Sequence, residues 1–369
     1  MSTMPSRIGI VGGGWRASAY FEIAKAFPAH FNFVRALVRS QSSADALNIG
    51  RGIAATTSID AFLDSENFDY VVVCTPSSVT ADYIVELANR GIAVLAETPP
   101  ATDLKSLDHL YSRLNAGARV QVAEQYRFQP QHAARLAVAQ SGLLGTVTSV
   151  YASVAHDYHG ISLLRSILGV GGEPITVRAE TFVDPVVATL GRGGWASELE
   201  VNDSTRVTAR ISVPGRGLLG VYEFNGEQYF SPIRSRHLSV FGERGELIDN
   251  AVHYMRGRGD AVTLHLERDQ TGVDGDLSGS YLRRISAGER VLYENPFAPG
   301  RLSDDEIAIG TVLLKMNEFV TGGPSFYGLA DASQDAYLGF LISEAAKSGD
   351  AVHSTPRVWT SELGGESDW

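Results

Sequence analysis

The hydrophobic residues in the first third of the chain follow two alternating patterns. Short, continuous apolar runs predict buried parallel strands, and apolar positions three and four residues apart predict helices. The predicted strands lie at residues 8–11, 31–38, 69–74, 92–96 and 120–123. The predicted helices lie at residues 17–26, 43–48, 58–63, 79–89 and 103–114. Strands alternating with helices indicate an α/β Rossmann domain, a doubly wound parallel sheet, over residues 1–125.

The pattern changes from residue 126 onward. Helices are predicted at 131–140 and 160–168, and strand-like runs separated by turn residues dominate the rest. These runs cover residues 147–155, 175–183, 205–213, 218–224, 237–241, 246–249, 262–267 and 290–293. They predict an α+β domain with a large open, mostly antiparallel sheet over residues 126–355.

Three further segments complete the second domain. Amphipathic helices are predicted at 304–319 and 331–347, and these C-terminal helices can pack back on the first domain. The glycine-containing stretch 184–200 is expected to be a long loop, and it is a candidate lid over a site. The tail from residue 355 is expected to be loosely ordered.

A glycine-rich turn joins the first strand to the first helix. Gly12, Gly14 and Ala17 form a G-x-G-x-x-A motif, with Trp15 and Arg16 between the last two. In this motif the first glycine permits a sharp turn, the second lets the backbone approach a diphosphate, and the small third residue lets the helix pack on the strand. The helix N-terminus then offers N–H groups and a positive dipole to the phosphates. We therefore predict a dinucleotide site here.

Composition narrows the function. The chain has 369 residues and a net charge of −11, which disfavours nucleic acid and anionic membranes as partners. We expect a cytoplasmic protein, because residues 1–7 show no apolar signal segment and no apolar run is long enough to span a membrane. Cys74, the single cysteine, lies in an apolar run and is interpreted as a small buried residue. No lysine occurs between Lys105 and Lys315, so the sheet strands predicted for the second domain cannot supply a catalytic lysine.

The end of the second predicted strand bears on the choice between NAD and NADP. An acidic residue that binds the adenosine ribose is common at this position, but here Arg39 and Ser40 follow the strand. Arginine can pair with a 2′-phosphate, which favours NADP over NAD. The alternative is a solvated Arg39, with Asp45 serving the ribose.

Taken together, these motifs resemble the glucose–fructose oxidoreductase / inositol dehydrogenase (Gfo/Idh/MocA) family over nearly the whole length. The order and spacing of several short motifs carry the resemblance: residues 11–14, Thr75-Pro76-Ser77, Glu97-Thr98-Pro99, residues 127–130, residues 144–147 and residues 241–247. The resemblance implies a Rossmann domain, an open C-terminal sheet and a nicotinamide cofactor. It also implies sugar-like or polyol substrates, and a homodimer or homotetramer formed through that sheet. Thr75, Pro76, Glu97 and Thr98 would then contribute to the cofactor site.

The chain departs from the family pattern at charged positions. The family commonly has Glu-Lys-Pro, whereas Thr98 replaces the lysine and cannot act as a base near neutral pH. Where the family commonly has two aspartates flanking a histidine, the chain has Ala155 and Ser162. His159 matches the histidine itself.

Four consecutive residues are the candidates for the acid–base role of the absent lysine and aspartates: His156, Asp157, Tyr158 and His159. His159 is expected near a helix start, where the positive dipole favours a neutral imidazole that can act as a general base. Asp157 or Tyr158 could orient it or act beside it, and His156 is equally compatible with a satisfied histidine at a strand end. No cluster has convincing metal-ligand spacing, so no metal is predicted.

Three functions remain open. The first is an NAD(P)-dependent oxidoreductase that transfers hydride to or from a carbohydrate-like molecule, with His159 as the proton partner. The second is a redox-neutral enzyme of the same fold that cleaves glycosides on a tightly held NAD. The third is a catalytically inactive sensor or assembly subunit, which the missing charged residues would allow.

Overall fold

The computed structural model describes residues 4–64, 67–191 and 193–363. Within these residues the chain divides into two compact units. The first unit comprises residues up to 129 together with Pro296–Ser333, and the second comprises Pro130–Asn295 and residues 334–363.

The first unit contains a parallel sheet, which confirms the predicted Rossmann class. Its six described strands are β1 (Ser6–Val11), β2 (Phe31–Leu37), β3 (Ala54–Thr56), β4 (Tyr70–Val73), β5 (Val94–Ala96) and β6 (Val120–Val122). They lie in the order β3-β2-β1-β4-β5-β6. The connecting helices are α1 (Trp15–Ala26), α2 (Gln41–Arg51), α3 (Ile59–Asp64), α4 (Ser77–Asn89) and α5 (Leu104–Arg113). The order reverses between β1 and β4, where dinucleotides bind in folds of this kind.

Burial explains why the first strand and helix form where they do. Ile8 and Ile10 on one face of β1 and Val11 on the other are buried, as are Tyr20 and Ile23 on one face of α1. Apolar residues buried on both sides of the sheet are typical of a parallel sheet covered by helices. The glycine turn is therefore fixed at both ends by packed elements.

The second unit is built on a large mixed sheet, which confirms the predicted α+β class. A 3-10 turn at Tyr126–Phe128 ends the N-terminal segment of the first unit, and α6 (Pro130–Gln140) then leads into the first strand of the sheet. Helix α7 (Asp157–Leu168) follows that strand. The strands are β7 (Val147–Ser153), β8 (Thr176–Val183), β9 (Val186–Val187), β10 (Leu190–Gly191), β11 (Gly194–Trp195), β12 (Val201–Asn202), β13 (Thr205–Val213), β14 (Leu218–Asn225), β15 (His237–Gly242), β16 (Gly245–Ile248), β17 (Ala251–Gly257), β18 (Asp260–Gln270), β19 (Leu282–Ala287) and β20 (Arg290–Glu294).

The C-terminal elements are α8 (Asp304–Val320), α9 (Leu329–Ser348) and β21 (Val352–His353). The described part of the large sheet has eleven strands in the order β20-β19-β18-β17-β16-β15-β7-β14-β13-β8-β21. Strand β7 pairs in parallel with β14, while the other ladders of this sheet are antiparallel. Helix α7 packs on one face of the sheet, where Gly220 leaves room for Leu164.

The prediction of a long loop at 184–200 was wrong. Strand β9 pairs with β12, and β10 pairs with β11, so this stretch forms two short antiparallel ladders between β8 and β13. Their side chains alternate too briefly for a sequence pattern to indicate strands. Trp195 on β11 is 68% exposed.

The prediction of a loosely ordered tail was also wrong as far as residue 363. Trp359 is fully buried, and its indole nitrogen donates a hydrogen bond to Gln334 Oε1 at 2.9 Å. The guanidinium of Arg357 lies over the rings of Tyr337 and Trp359. Residues 364–369 lie outside the described residues. In the part of the chain that is described, no helix is both long and apolar enough to cross a membrane.

Candidate functional site

The fold requires glycine at one of the two outer glycine positions of the first turn but not at the other. Gly12 adopts a φ of 119°, and a Cβ there would lie 2.5 Å from the carbonyl oxygen of Cys74, so the fold itself requires glycine. Gly14 adopts a φ of −81°, and a Cβ there would meet nothing within 4 Å. The fold therefore does not require glycine at position 14. The open space it leaves matches the close approach of a diphosphate to the backbone.

The helix that follows this turn has an uncapped start. Gly14 is the N-cap of α1, and no side chain accepts a hydrogen bond there. Ala17 is fully buried, as expected for the position where the helix packs on the strand, whereas Trp15 is 71% exposed. Because the first N–H groups of a helix have no partner within it, this start is suited to an anion. These residues fit the diphosphate of a nicotinamide dinucleotide.

A group of polar side chains joins α1 to the end of β5. Arg16 Nε donates to Glu97 Oε1 at 2.6 Å, and the Tyr20 hydroxyl donates to the same oxygen at 2.5 Å. Arg16 Nη2 also donates to Gln125 Oε1 at 3.1 Å. The Arg16 and Glu97 side chains are 18% and 14% exposed. We call Arg16, Tyr20, Glu97 and Gln125 the Arg16 cluster.

Electrostatics favours the charged pair in this cluster. Burial alone would lower the pKa of Arg16, but the Glu97 carboxylate outweighs it and the pKa is raised overall. Burial first and Glu97 second raise the pKa of Tyr20, so its hydroxyl remains a donor. Burial, with a further contribution from Glu97, also raises the pKa of Cys74, so this thiol is not an activated nucleophile.

The remaining predicted cofactor residues of the first unit lie at strand ends. Thr75 and Pro76 follow β4, and the Thr75 hydroxyl lies 3.0 Å from that of Thr80, one turn into α4. Thr98 follows Glu97 after β5 and is half-buried. Because the carboxyl ends of parallel strands meet at one edge of the sheet, these groups line the same edge as the glycine turn.

Arg39 and Ser40 lie at the end of β2 and the start of α2. Ser40 is the N-cap of α2, and its hydroxyl accepts from the Ser43 amide at 3.2 Å. The same hydroxyl lies 2.8 Å from that of Ser43 and 3.0 Å from that of Ser42. Arg39 is exposed and makes no hydrogen bond with the described residues. Asp45, the alternative ribose ligand, accepts a hydrogen bond from Gln41 on the exposed side of α2.

The second unit holds the histidine-containing group at the start of α7. His156 is the N-cap, and its ring lies 4.9 Å from the ring of His159 at 79°. The Tyr229 hydroxyl accepts a hydrogen bond from the His156 amide at 2.9 Å and contacts His156 Nδ1. His159 is 8% exposed, in the first turn of the helix. His156 is thus exposed but held in place by its tyrosine partner.

Asp157 and Tyr158 surround this pair. Asp157 Oδ1 accepts from the Tyr222 hydroxyl at 3.2 Å. Burial first and Asp157 second raise the pKa of Tyr222, so the phenol stays protonated as a donor. The Tyr158 ring is buried and lies edge-on to His159, with 5.4 Å between ring centres.

The structure thus gathers the predicted residues into two sets. One set lies in the first unit around the glycine turn, and the other lies in the second unit at the start of α7. Within the described residues, no group of three or more His, Cys, Asp or Glu side chains is placed to hold a metal ion. Sequence reasoning missed Tyr20, Gln125, Tyr222 and Tyr229, because nothing local distinguishes these side chains from ordinary strand and helix residues.

Comparisons with known proteins agree with the first unit's geometry. Residues 6–124 match the family model GFO_IDH_MocA, described as the oxidoreductase family, NAD-binding Rossmann fold. D-xylose 1-dehydrogenase (NADP(+)) 2 of Haloferax volcanii is 31% identical over 114 residues, which cover 30% of this chain and 34% of that protein. Inositol 2-dehydrogenase of Rhizobium meliloti is 26% identical over 208 residues, covering 51% of this chain and 62% of that protein. The chain therefore spans less than two thirds of either curated relative.

The likeness among solved structures covers both units. An oxidoreductase from Agrobacterium radiobacter, solved in complex with NAD+, L-tartaric acid and magnesium, superposes with a TM-score of 0.68. The sequences are 15% identical, and the match covers 95% of this chain and 98% of that one. At this identity the likeness establishes the fold alone.

Proposed function

Since residues 6–124 match the NAD-binding Rossmann model of the Gfo/Idh/MocA oxidoreductase family, we propose that the chain is an NAD(P)-dependent oxidoreductase of that family. Its substrate would be a carbohydrate-like or polyol molecule. The observation that carries the proposal is Gly14, whose missing Cβ leaves open space beside the uncapped start of α1. A glycine that the fold does not need, at the point where a diphosphate would approach, supports dinucleotide binding.

Substrate class is proposed from the relatives. D-xylose dehydrogenase and inositol dehydrogenase act on a sugar and a polyol, as their names state. Xylose and inositol each carry several hydroxyl groups, and the oxidised group is a hemiacetal or a secondary alcohol. The exposed imidazole of His156 and its partner Tyr229 supply the kind of hydrogen-bonding and aromatic surface that such substrates need.

His159 is the proposed proton partner. A bound nicotinamide would supply or accept the hydride. When the substrate hydroxyl is oxidised, the His159 imidazole would take the hydroxyl proton, and it would return that proton when a carbonyl is reduced. The packed rings of His156 and Tyr158 restrict the orientation of this imidazole. Asp157, held by Tyr222, would fix the first turn of α7.

Preference for NADP over NAD is proposed from the end of β2. Arg39 is an exposed guanidinium without a partner among the described residues, next to the hydroxyls of Ser40, Ser42 and Ser43. Guanidinium and hydroxyl donors suit a 2′-phosphate. An Arg39→Gln variant should bind NADP+ about tenfold more weakly and NAD+ unchanged, as measured by titration. Equal affinity of the wild-type protein for both cofactors would contradict this preference.

A substrate screen tests the activity. The purified protein is incubated with NADP+ or NAD+ and a panel that includes D-xylose and myo-inositol, and reduced cofactor is followed by absorbance. Reduced cofactor that forms with one substrate, and disappears in a His159→Asn variant, is the expected result. Glycoside cleavage without net reduced cofactor would favour the redox-neutral alternative. Cofactor binding without turnover on any substrate would favour the inactive subunit.

Self-association through the large sheet is proposed as well. On the face opposite α7, Tyr151 is 46% exposed and packs edge-on against Phe241, with Val221 and Ser239 directly beside it in register. Such a face suits a second copy of the chain. Sedimentation velocity should find a homodimer or homotetramer, and Tyr151→Glu should shift the distribution toward monomer. A monomeric wild-type protein would contradict the proposal.

A further inference from the structure

The Arg16 cluster fastens the start of α1 to the end of β5. Arg16 and Tyr20 lie one helical turn apart, on the same face of α1, and both donate to a single atom, Glu97 Oε1. Arg16 lies two residues after Gly14, where the diphosphate is expected, and Glu97 lies directly after β5. The cluster therefore connects two parts of the same sheet edge that are 81 residues apart in the chain.

One carboxylate and one thiol face this cluster from the neighbouring elements of the first unit. The Asp305 carboxylate of α8 contributes to the raised pKa of Arg16, and Cys74, after β4, contributes to the raised pKa of Tyr20. Gln125, after β6, accepts the second hydrogen bond from Arg16. Arg16 is the cation of the group, so its removal would leave the Glu97 carboxylate without a counter-charge. An ion pair that is mostly removed from water is costly to break on one side only.

The geometry at Glu97 leaves one oxygen for other use. Both protein donors use Oε1, and Oε2 receives no hydrogen bond from the described residues. The side chain keeps 14% exposure, so it is not sealed inside the fold. Two donors on one oxygen fix the orientation of the carboxylate, which lies next to Thr98 in the chain.

We propose that Arg16 is a positioning residue for the dinucleotide: through Glu97 it holds the end of β5 at a fixed separation from the diphosphate turn. The half of the cofactor beyond the diphosphate then meets a preformed surface at Glu97 and Thr98. Preorganisation of this kind increases affinity by removing the cost of ordering the site on binding. The inference rests on the proposed function, because it assumes that a dinucleotide lies along this edge.

Its test compares a half-ligand with the whole cofactor. ADP carries the adenosine and the diphosphate but nothing beyond them, whereas NAD+ and NADP+ continue toward β5. Calorimetric titration of the full-length protein gives the dissociation constant for ADP and for whichever dinucleotide binds more tightly. An Arg16→Met variant should bind the dinucleotide about tenfold more weakly or worse, because the end of β5 is no longer ordered before the cofactor binds. Its affinity for ADP should change less than about twofold.

Matched variants separate positioning from general stability. Arg51 makes a more exposed ion pair at 2.7 Å with Glu22, which also lies on α1 but away from the turn, so Arg51→Met removes an arginine–glutamate bond of the same helix and should change neither affinity. Adding Glu97→Gln to Arg16→Met should not restore the dinucleotide affinity, because neutralising the carboxylate does not re-form the contact between α1 and the end of β5. Should Arg16→Met fail to fold, Tyr20→Phe removes the other donor to Oε1 and should weaken the dinucleotide, again without an effect on ADP.

The outcomes are distinct. A wild-type protein that binds neither ADP nor a dinucleotide overturns the proposed function and this inference together. A wild-type protein that binds both, with an Arg16 or Tyr20 variant that weakens both by the same factor, overturns the inference alone and leaves the function in place. Unchanged dinucleotide affinity in the folded variants also overturns it.

Discussion

Replacing Gly14 by alanine should damage cofactor binding without damaging the fold. Its φ of −81° suits alanine, and the new Cβ meets nothing within 4 Å. Alanine reduces the freedom of the unfolded chain, which stabilises by about 0.4–1 kcal/mol, but it is a poorer N-cap than glycine by a similar amount. The free energy of unfolding should therefore stay within about 0.5 kcal/mol of wild type.

The effect on binding should be much larger. The added methyl group occupies the space that a diphosphate needs, and overfilling a packed contact costs about 1–3 kcal/mol. That cost corresponds to about 5-fold to 150-fold weaker binding of NAD(P)(H). Urea unfolding followed by tryptophan fluorescence measures the stability, and nicotinamide fluorescence titration measures the affinity.

Two other glycine variants calibrate the result. Gly12→Ala forces a Cβ to 2.5 Å from a backbone carbonyl at a φ of 119°, so it should destabilise the fold by about 3 kcal/mol or more. A Cβ at Gly50 in α2 would also meet nothing within 4 Å, so Gly50→Ala should preserve both folding and binding. The reasoning fails if Gly14→Ala binds cofactor like wild type, or if it unfolds as readily as Gly12→Ala.

Three further predictions concern the second unit. Burial first, and a neighbouring guanidinium second, lower the pKa of His132 to about 3 from its ordinary 6.5, so the unfolded chain takes up a proton between these values that the folded protein does not. The free energy of unfolding should therefore fall as the pH drops from 6.5 toward 3, by up to about 1.4 kcal/mol per pH unit. In urea unfolding, the free energy of unfolding of His132→Gln should depend less steeply on pH in this range than that of the wild-type protein. Asp335→Asn removes the buried partner of Arg165 at 2.7 Å and should destabilise by about 3–5 kcal/mol, whereas Asp260→Asn, at an exposed pair, should leave the unfolding midpoint unchanged. His159→Asn should lower kcat by about 10²–10⁴-fold with the cofactor Kd unchanged, and a variant with full kcat would remove His159 from the mechanism.

The sequence predicted those parts of the fold whose signals are local. The strand, turn and helix around Gly12 and Gly14 combine an apolar run, glycines and a helical spacing within about twenty residues, so no distant partner is needed to recognise them. Strand β13 was predicted at its observed bounds, Thr205–Val213, because its alternation is regular and its ends carry turn residues.

Other elements were missed because their pattern depends on tertiary structure. Strand β19 (Leu282–Ala287) contains Arg283 and Arg284, whose exposed side chains obscure the apolar alternation, and β17 (Ala251–Gly257) contains similarly exposed polar residues. Strand β3 (Ala54–Thr56) is too short to produce a pattern. The position of Trp359 was missed because its burial depends on Gln334 of a helix that ends well before it.

The candidate site divides in the same way. Residue types near the glycine turn were recognised from their spacing, but the bond between Arg16 and Glu97 joins positions 81 residues apart. Tyr20 falls within the predicted helix 17–26, and no local signal indicates that its hydroxyl donates to Glu97. The roles of Thr75, Thr98 and His159 toward a ligand remain predictions.

The central claim is that the start of α1 binds the diphosphate of a nicotinamide dinucleotide. The most direct measurement is a crystal structure of the protein grown with NADP+ or NAD+. We expect the diphosphate to accept hydrogen bonds from the backbone amides that follow Gly14, with the adenosine ribose near Arg39. A dinucleotide bound elsewhere, or a turn that stays without density at saturating cofactor, would contradict the account.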